Sequence, residues 1–337
     1  MTFTNTAGIN LIMAGYLADD QYDYRPNTVS ATTLMKPVKQ YLLSKQVPAE
    51  DKVKDITNFV KSRIGTSVHD SVERVWTSGR YKSAMRLLGY NDATIDKIRI
   101  NPGYALVDGD WEKDPAYVSE PGIIPVYVEI RSSKVIEGVT VTGKFDSVAE
   151  GTVGDIKTTS VYTWMNQTKA EDYKVQGSIY KWLNQDIITG DTVNIHYVFT
   201  DFSDMKSKID SNYPPTQVLT QSYPLMSLEE TERWIVGRLR DIEKHQDKPQ
   251  SDMPVCTDRD LWRKAPVYKY YKNPNKLTRS TKNHDTLGAA NLHLAKDGNV
   301  GTVISVPGQV IACRYCDAFP VCRQKDVYLQ EGTLKLN

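Results

Sequence analysis

The sequence contains no apolar run approaching the ~20 residues that a bilayer-crossing helix needs. Met1 to Ala18 has no charged stretch followed by a long apolar one, so no secretory signal is expected, and the reducing cytoplasm is the expected compartment. There is no internal repeat or low-complexity tract, and no G-x-x-x-x-G-K-[ST] loop, so ATP-driven unwinding would have to come from another chain. Net charge is nearly absent: 42 Lys and Arg stand against 41 Asp and Glu, a formal +1. That excludes a strong global field for nucleic acid, and any such grip must come from local clusters. Cysteine is scarce. The four present are Cys256, Cys313, Cys316 and Cys322, all in the last quarter. A reducing compartment argues against two structural disulfides, and the C-x2-C spacing argues for a metal.

What is there is ordinary in bulk and specific in places. At 337 residues the chain can bury one large core, or one domain plus a small module. A hydrophobic content of 40% and a charged content of 25% fit a globular protein. The chain centres on Gly143-Lys144-Phe145-Asp146, followed by Gly154-Asp155-Ile156-Lys157-Thr158-Thr159. From about Val135 to Lys157 the pattern reads as two or three strands. Period two puts Asp155 and Lys157 on one face, with Ile156 toward the core, and Asp146 at the end of the preceding strand can lie beside them. Two carboxylates and an ammonium then converge. A divalent metal held by Asp146, Asp155 and the Ile156 carbonyl would suit phosphodiester hydrolysis, with Lys157 offsetting charge on the phosphate. A surface hairpin carrying an Asp–Lys pair gives the same tripeptide.

Thr32 to Lys45 reads as an amphipathic helix that Pro37 can start late. Asp55 to Trp76 is helical in period, with His69 and Glu73 one turn apart on a shared face, where the bland meaning is a helix-stabilising pair. Tyr81–Leu88 and Ala93–Ile98 read as short helices, and 101–121 as a loop. Ile123–Ile130 and Val135–Thr142 read as paired strands turning at Ser132-Ser133-Lys134, with Glu129 on the first, either backing up the site or, as a strand glutamate more often does, facing solvent. Ala170 to Leu183 is a helix with Gln176 and Tyr180 on one face. Val193–Phe202 is a strand in which His196 is packed. Residues 203–226 are a polar connection, and Ser227 with Glu230 gives a capping box for a helix to about His245. Residues 1–29 read as an irregular arm, with a loop around Asp20 and Tyr22 to Pro26.

Taken in order, His69 in G-T-S-V-H-D-S-V-E, Asp146 in GKFD, Asp155-Ile156-Lys157 in GDIKT, and Gln176 with Tyr180 resemble the PD-(D/E)XK nucleases over roughly Ser30 to Phe202. The branch is the RecB-like one that includes iron–sulfur CRISPR-associated exonucleases and phage-type exonucleases. The resemblance implies an α/β, restriction-endonuclease-like core, a mixed central sheet flanked by helices. It implies His69 as a further metal ligand, Lys157 as the catalytic lysine, and Gln176 and Tyr180 as catalytic or DNA-binding residues facing the cleft. The implied activity is a Mg2+- or Mn2+-dependent DNA nuclease, an exonuclease, in recombination, repair or phage DNA metabolism. It would act on single strands or duplex ends in a bacterial or phage-infected cell, with a recombination or helicase protein in trans. An endonuclease of the same fold and a DNA-binding protein with a degenerate site are the alternatives.

The expected layout is an arm over 1–29, a nuclease domain over 30–250 and a four-cysteine metal module over 251–337. Cys256, Cys313, Cys316 and Cys322 suit either zinc or a [4Fe–4S] cluster. The C-x2-C-x5-C tail resembles the iron–sulfur relatives, although there the distant cysteine precedes the core, whereas Cys256 follows it. Between the cysteines, Arg259 to Lys282 is strongly basic, and Arg263, Lys264, Lys269, Lys272 and Lys276 interleave with Trp262 and Tyr270. Cations for phosphates and rings for bases make this a candidate DNA path; a solvated loop packed on the metal module has the same composition.

Overall fold

The structure, a computed structural model, describes residues 2–19, 25 and 27–336. The chain forms two compact units, one of Thr2–Met35 with Val53–Arg240, the other of Lys36–Lys52 with residues 241–336. Among the described residues no helix is long and apolar enough to cross a membrane. The loop expected at 20–26 lies, except for Arg25, outside the described residues.

The first unit is mixed α/β and is built on a six-stranded sheet. Its strands are β1 (Ile98–Ile100), β2 (Ile124–Val128), β3 (Ser147–Ala149), β4 (Thr152–Thr159), β5 (Thr192–Phe199) and β6 (Val218–Pro224), lying side by side in that order. β1–β2 and β4–β5 pair parallel, the other three neighbours antiparallel. A parallel pair needs a crossover, and helix α2 (Ala170–Leu183) makes the one between β4 and β5. Helix α1 (Val60–Thr77) precedes the sheet.

Burial alternates along β5, where Val193, Ile195, Tyr197 and Phe199 are buried. Asp155 is in register with Ile195 and Lys157 with Tyr197, so both charged residues share the more buried face. This reverses the expectation for Ile156, which aligns with His196 and is only half-buried. Apolar character predicts the wrong face here because α2 lies over the charged one. It comes close at Gly177, where a Cβ would stand 2.8 Å from the Val193 Cβ. α1 approaches the other face through Gly65, where a Cβ would stand 3.0 Å from Thr158 Oγ1.

Several local expectations are corrected. The hairpin formed by Arg131–Ile136 and Val139–Lys144 turns at Glu137-Gly138, and Ser132, Ser133 and Lys134 lie within its first strand. Both turn residues have positive φ, +49° and +73°, as a two-residue type I′ turn requires. The expected loop over 101–121 contains a second such hairpin, Tyr104–Val107 with Asp110–Lys113, turning at Asp108-Gly109. The helix expected over 55–76 begins as a strand, Val53–Asp55, and a 3-10 turn, Ile56–Phe59. The one expected over 93–98 is shorter, Asp92–Ile95, because Ile98–Ile100 is claimed by the sheet. Pro37 splits the helix expected over 32–45 into Ala31–Leu34 and Val38–Gln46. The N-terminal arm includes a strand, Thr2–Thr4, and a helix, Leu11–Ala18. Residues 203–226 include a helix, Asp204–Ile209, as well as β6. The capping box forms as read: Glu230 N donates to Ser227 Oγ, and Ser227 N donates to Glu230 Oε2.

The second unit has a three-stranded antiparallel sheet of Lys282–His284, Val267–Tyr271 and Thr302–Val306, with helix Leu287–Lys296. Its cores are small. One joins Val38, Tyr41, Leu42 and Leu43 to Met253 and Ala318, with Cys316 and Cys322 packed against it. The other joins Leu261, Val310 and Leu334, with Cys256 and Cys313 packed against it.

Candidate active site and metal centre

Asp146 sits between the Val139–Lys144 strand and β3, where the ladder changes sheets. Its Oδ2 accepts a hydrogen bond of 2.6 Å from the Ile156 amide and lies 3.4 Å from His69 Nδ1 on α1. Across the ladder, Glu129 N donates to Asp146 O at 3.1 Å and Phe145 N donates to Ile130 O at 3.3 Å. Glu129 takes a left-handed φ of +54°, which breaks the strand between Val128 and Arg131 and turns its side chain in. Its carboxylate is 2.6 Å from Lys144 Nζ, and its side chain is only 12% exposed. Potential ligand atoms of His69, Glu129 and Asp146 lie within 4.8 Å of one another. Of the two readings its sequence context offers, Glu129 takes the one that backs up the site rather than facing solvent. Nothing in the sequence marks a glutamate for positive φ, so the signal was absent. Glu73, one turn beyond His69, is half-buried and adds its charge near Glu129.

Asp155 is buried, and its Oδ2 makes no hydrogen bond. Lys157 Nζ stands 2.5 Å from that oxygen, out of line for one. Gln176 and Tyr180 are buried and bonded to each other, Gln176 Nε2 donating to Tyr180 Oη at 2.7 Å. The Tyr180 ring meets Phe145 edge to face at 6.5 Å, so the pair braces the GKFD segment. His196 is half-buried, with Nδ1 2.9 Å from Thr220 Oγ1.

The electrostatics follow from burial against pairing. Burial pushes the Asp155 carboxyl up to about 6, Lys157 opposing and Asp146 adding. Burial works against the Lys157 ammonium, but Asp155 and Asp146 outweigh it and hold its pKa above the ordinary value. Burial also opposes charge on His69, yet the Asp146 and Glu129 carboxylates keep its pKa raised. Asp146 ends below its usual range in spite of burial, because His69, Lys157 and the Ile156 amide favour its anion. Glu129 is raised, first by burial and then by Asp146 and Glu73, with Lys144 opposing. Two carboxylates and one imidazole with ligand atoms within 4.8 Å of one another are a donor set that a divalent cation fits, with the Asp155 carboxylate, paired to Lys157, beside it. The Ile156 amide, rather than its carbonyl, is the group that meets Asp146.

In the second unit the four cysteines are free, half-buried thiols close enough to feel one another's charge. Burial pushes Cys256 up to about 12 and Cys313 up to about 11, and the neighbouring thiols add to both. Tyr270 is corrected as a base-stacking candidate. It is wholly buried, its hydroxyl donates to Asp297 Oδ2 at 2.9 Å, and its ring lies 4.4 Å from His293. Strand Val267–Tyr271 is covered by helix Leu287–Lys296, which turns this tyrosine into core. Arg263 braces the fold, donating to Asp258 Oδ1 at 2.7 Å and to Gly308 O at 3.3 Å. Lys264, Lys272, Lys276 and Trp262 are exposed, and Lys269 is half-buried.

No family model and no curated protein matches this chain. A solved structure described as "Crystal structure of SSO0001" superposes with a TM-score of 0.41 at 13% identity, over 75% of this chain and 98% of that one. A phage related exonuclease from Haemophilus somnus 129PT superposes with a TM-score of 0.23 at 17% identity, over 36% of this chain and 60% of its own. At that looseness neither likeness assigns a fold or an activity to this chain.

Proposed function

We propose that this chain is a Mg2+- or Mn2+-dependent deoxyribonuclease, an exonuclease, on a restriction-endonuclease-like core of the PD-(D/E)XK type. It would act in the cytoplasm on DNA undergoing recombination, repair or phage metabolism. One observation carries the reading: His69, Glu129 and Asp146 converge beside a buried Asp155 that is ion-paired with Lys157 at 2.5 Å. His69, Glu129, Asp146 and Asp155 would hold the metal. When bound, it polarises the phosphoryl oxygens and lowers the pKa of a water. Lys157, kept charged by two carboxylates, donates to the attacking water or to the phosphate oxygen on which charge develops. Lys144 neutralises part of the Glu129 charge. Gln176 and Tyr180 hold the Asp146 segment in position from behind.

The test is cleavage of end-labelled linear and circular DNA, single- and double-stranded, with Mg2+ or Mn2+, by the parent beside Lys157→Ala. Metal-dependent loss of linear DNA alone, absent in the variant, is the expected result. Cut circles would make it an endonuclease. DNA bound but never cut would leave a binding protein with a degenerate site.

The four cysteines are proposed to hold a [4Fe–4S] cluster, with Zn2+ the alternative, because burial gathers four thiols in a unit with small cores. Metal analysis and the visible absorption spectrum of anaerobically purified protein distinguish the two.

A further inference from the structure

The outward-facing rings of the second unit are not those of its basic strand. Trp262 is 48% exposed and Tyr315 is 63% exposed. Their ring centroids are 6.1 Å apart, with planes tilted by 38°. They come from separate turns, Tyr315 closing the 3-10 turn Ala312–Tyr315. The two turns are tied together by backbone. Ile311 N and Ala312 N both donate to Leu261 O at 3.0 Å, and Lys264 N donates to Gln309 O at 3.0 Å. Within this network Trp262 takes a φ of +48°, a region that bulky side chains avoid. Leu261 beside it is buried, so the turn anchors one apolar side chain and presents the next to solvent. Strained residues held by over-determining neighbours gather at binding sites.

Cations outnumber acids in the two turns: Arg259, Arg263, Lys264 and Arg314 stand against Asp258, Asp260 and Asp317. Arg259, Lys264 and Arg314 are exposed, and each lies within three residues of a ring in sequence. The nearby acids are engaged. Asp258 Oδ1 accepts from Arg263 at 2.7 Å, Asp260 Oδ2 accepts from Thr257 N and Oγ1 at 2.8 Å, and Asp317 Oδ2 lies 3.9 Å from Lys36 Nζ. What meets water is a pair of part-exposed rings, with the exposed Lys264 and Arg314 beside them in sequence. Unpaired bases offer flat faces to such a surface, and phosphates follow the cations, whereas a duplex keeps its base faces stacked inside.

We propose that Trp262 and Tyr315 form a stacking platform for the bases of single-stranded nucleic acid, with Lys264 and Arg314 taking the adjoining phosphates. The proposal rests on the nuclease reading only in the choice of DNA as probe.

The test uses the full chain carrying Lys157→Ala, so that the probe stays whole, and measures anisotropy of a fluorescein-labelled oligothymidylate and of a blunt duplex. Trp262→Ala and Tyr315→Ala should each weaken oligothymidylate binding by about 5- to 100-fold while moving duplex binding by less than about twofold. Trp262→Phe should retain most of the affinity. Arg314→Ala should lower the salt dependence of binding. Variants that bind the oligomer like the parent, or that lose oligomer and duplex equally, overturn the platform; a surface for another protein would give the first of these. If Trp262→Ala fails to fold, Tyr315→Ala and Trp262→Phe decide. Cleavage by the Lys157-intact chain is read separately, so failure of the platform and failure of the nuclease reading remain distinct.

Discussion

The Glu129 amide donates to the Asp146 carbonyl at 3.1 Å, and this one ladder bond makes two carboxylates leave neighbouring strands in step, both toward His69. Glu129→Gln removes a charge without changing shape. Mn2+ affinity, measured by calorimetry, is expected to fall at least about tenfold. An unchanged affinity would take Glu129 out of the ligand set.

Lys157→Ala should lower kcat by about 10²- to 10³-fold or more, with the circular dichroism spectrum preserved. The fold survives because Asp155, with its carboxyl already pushed up to about 6, can take a proton when its counter-ion is gone. Wild-type turnover in this variant would remove the lysine from the mechanism.

The metal-free protein should lose stability as pH rises from about 4 to 7. Asp155 has a folded pKa near 6, above its ordinary 3.8, so its favourable contribution is full below the lower value and is lost as pH passes the upper. His69, also raised in the folded state, has the same sign in a higher window. Asp146 is depressed, and its window lies below 3.8, outside this range. Urea melts across the series, with Asp155→Asn flattening the lower part, check the sign. Metal binding should run the other way and strengthen with pH, since protons and the cation compete for the same groups.

Asp55 ties down the N-terminal segment. Its carboxylate accepts from Thr4 Oγ1, Thr6 N and Thr6 Oγ1 at 2.8–3.0 Å, and from Thr57 N and Oγ1 at 3.0 and 2.6 Å. The Thr57 and Thr6 bonds hold its carboxyl well below the usual range. Its contribution is therefore present above the ordinary value and is lost as pH falls through the depressed one. Asp55→Ala should open residues 2–18 to limited proteolysis at neutral pH while leaving the sheet protected. A cleavage pattern like the parent's would show that other contacts hold the segment.

Where the pattern was long and periodic, sequence reading and structure agree. Ala170–Leu183 is the helix its three- and four-residue steps predict, and Ser227 with Glu230 caps the helix Leu228–His245 as read. Strand period two brings Asp155 and Lys157 together with Asp146 beside them, and the resemblance adds His69; in the structure these four approach one another. The hairpin turns at Glu137-Gly138 rather than at the Ser132-Ser133-Lys134 stretch, because a residue followed by Gly between alternating strands is the stronger hairpin cue.

By itself the sequence determined which side chains alternate, which repeat at helical steps and which backbone positions can cap or turn, because those depend on residues a few places apart. Tertiary structure decided which face of β4 is buried, that Glu129 joins His69 and Asp146, that Tyr270 is core and that Trp262 meets Tyr315. Each of these depends on what a distant segment lays over a side chain, and periodicity along a single element carries no record of that.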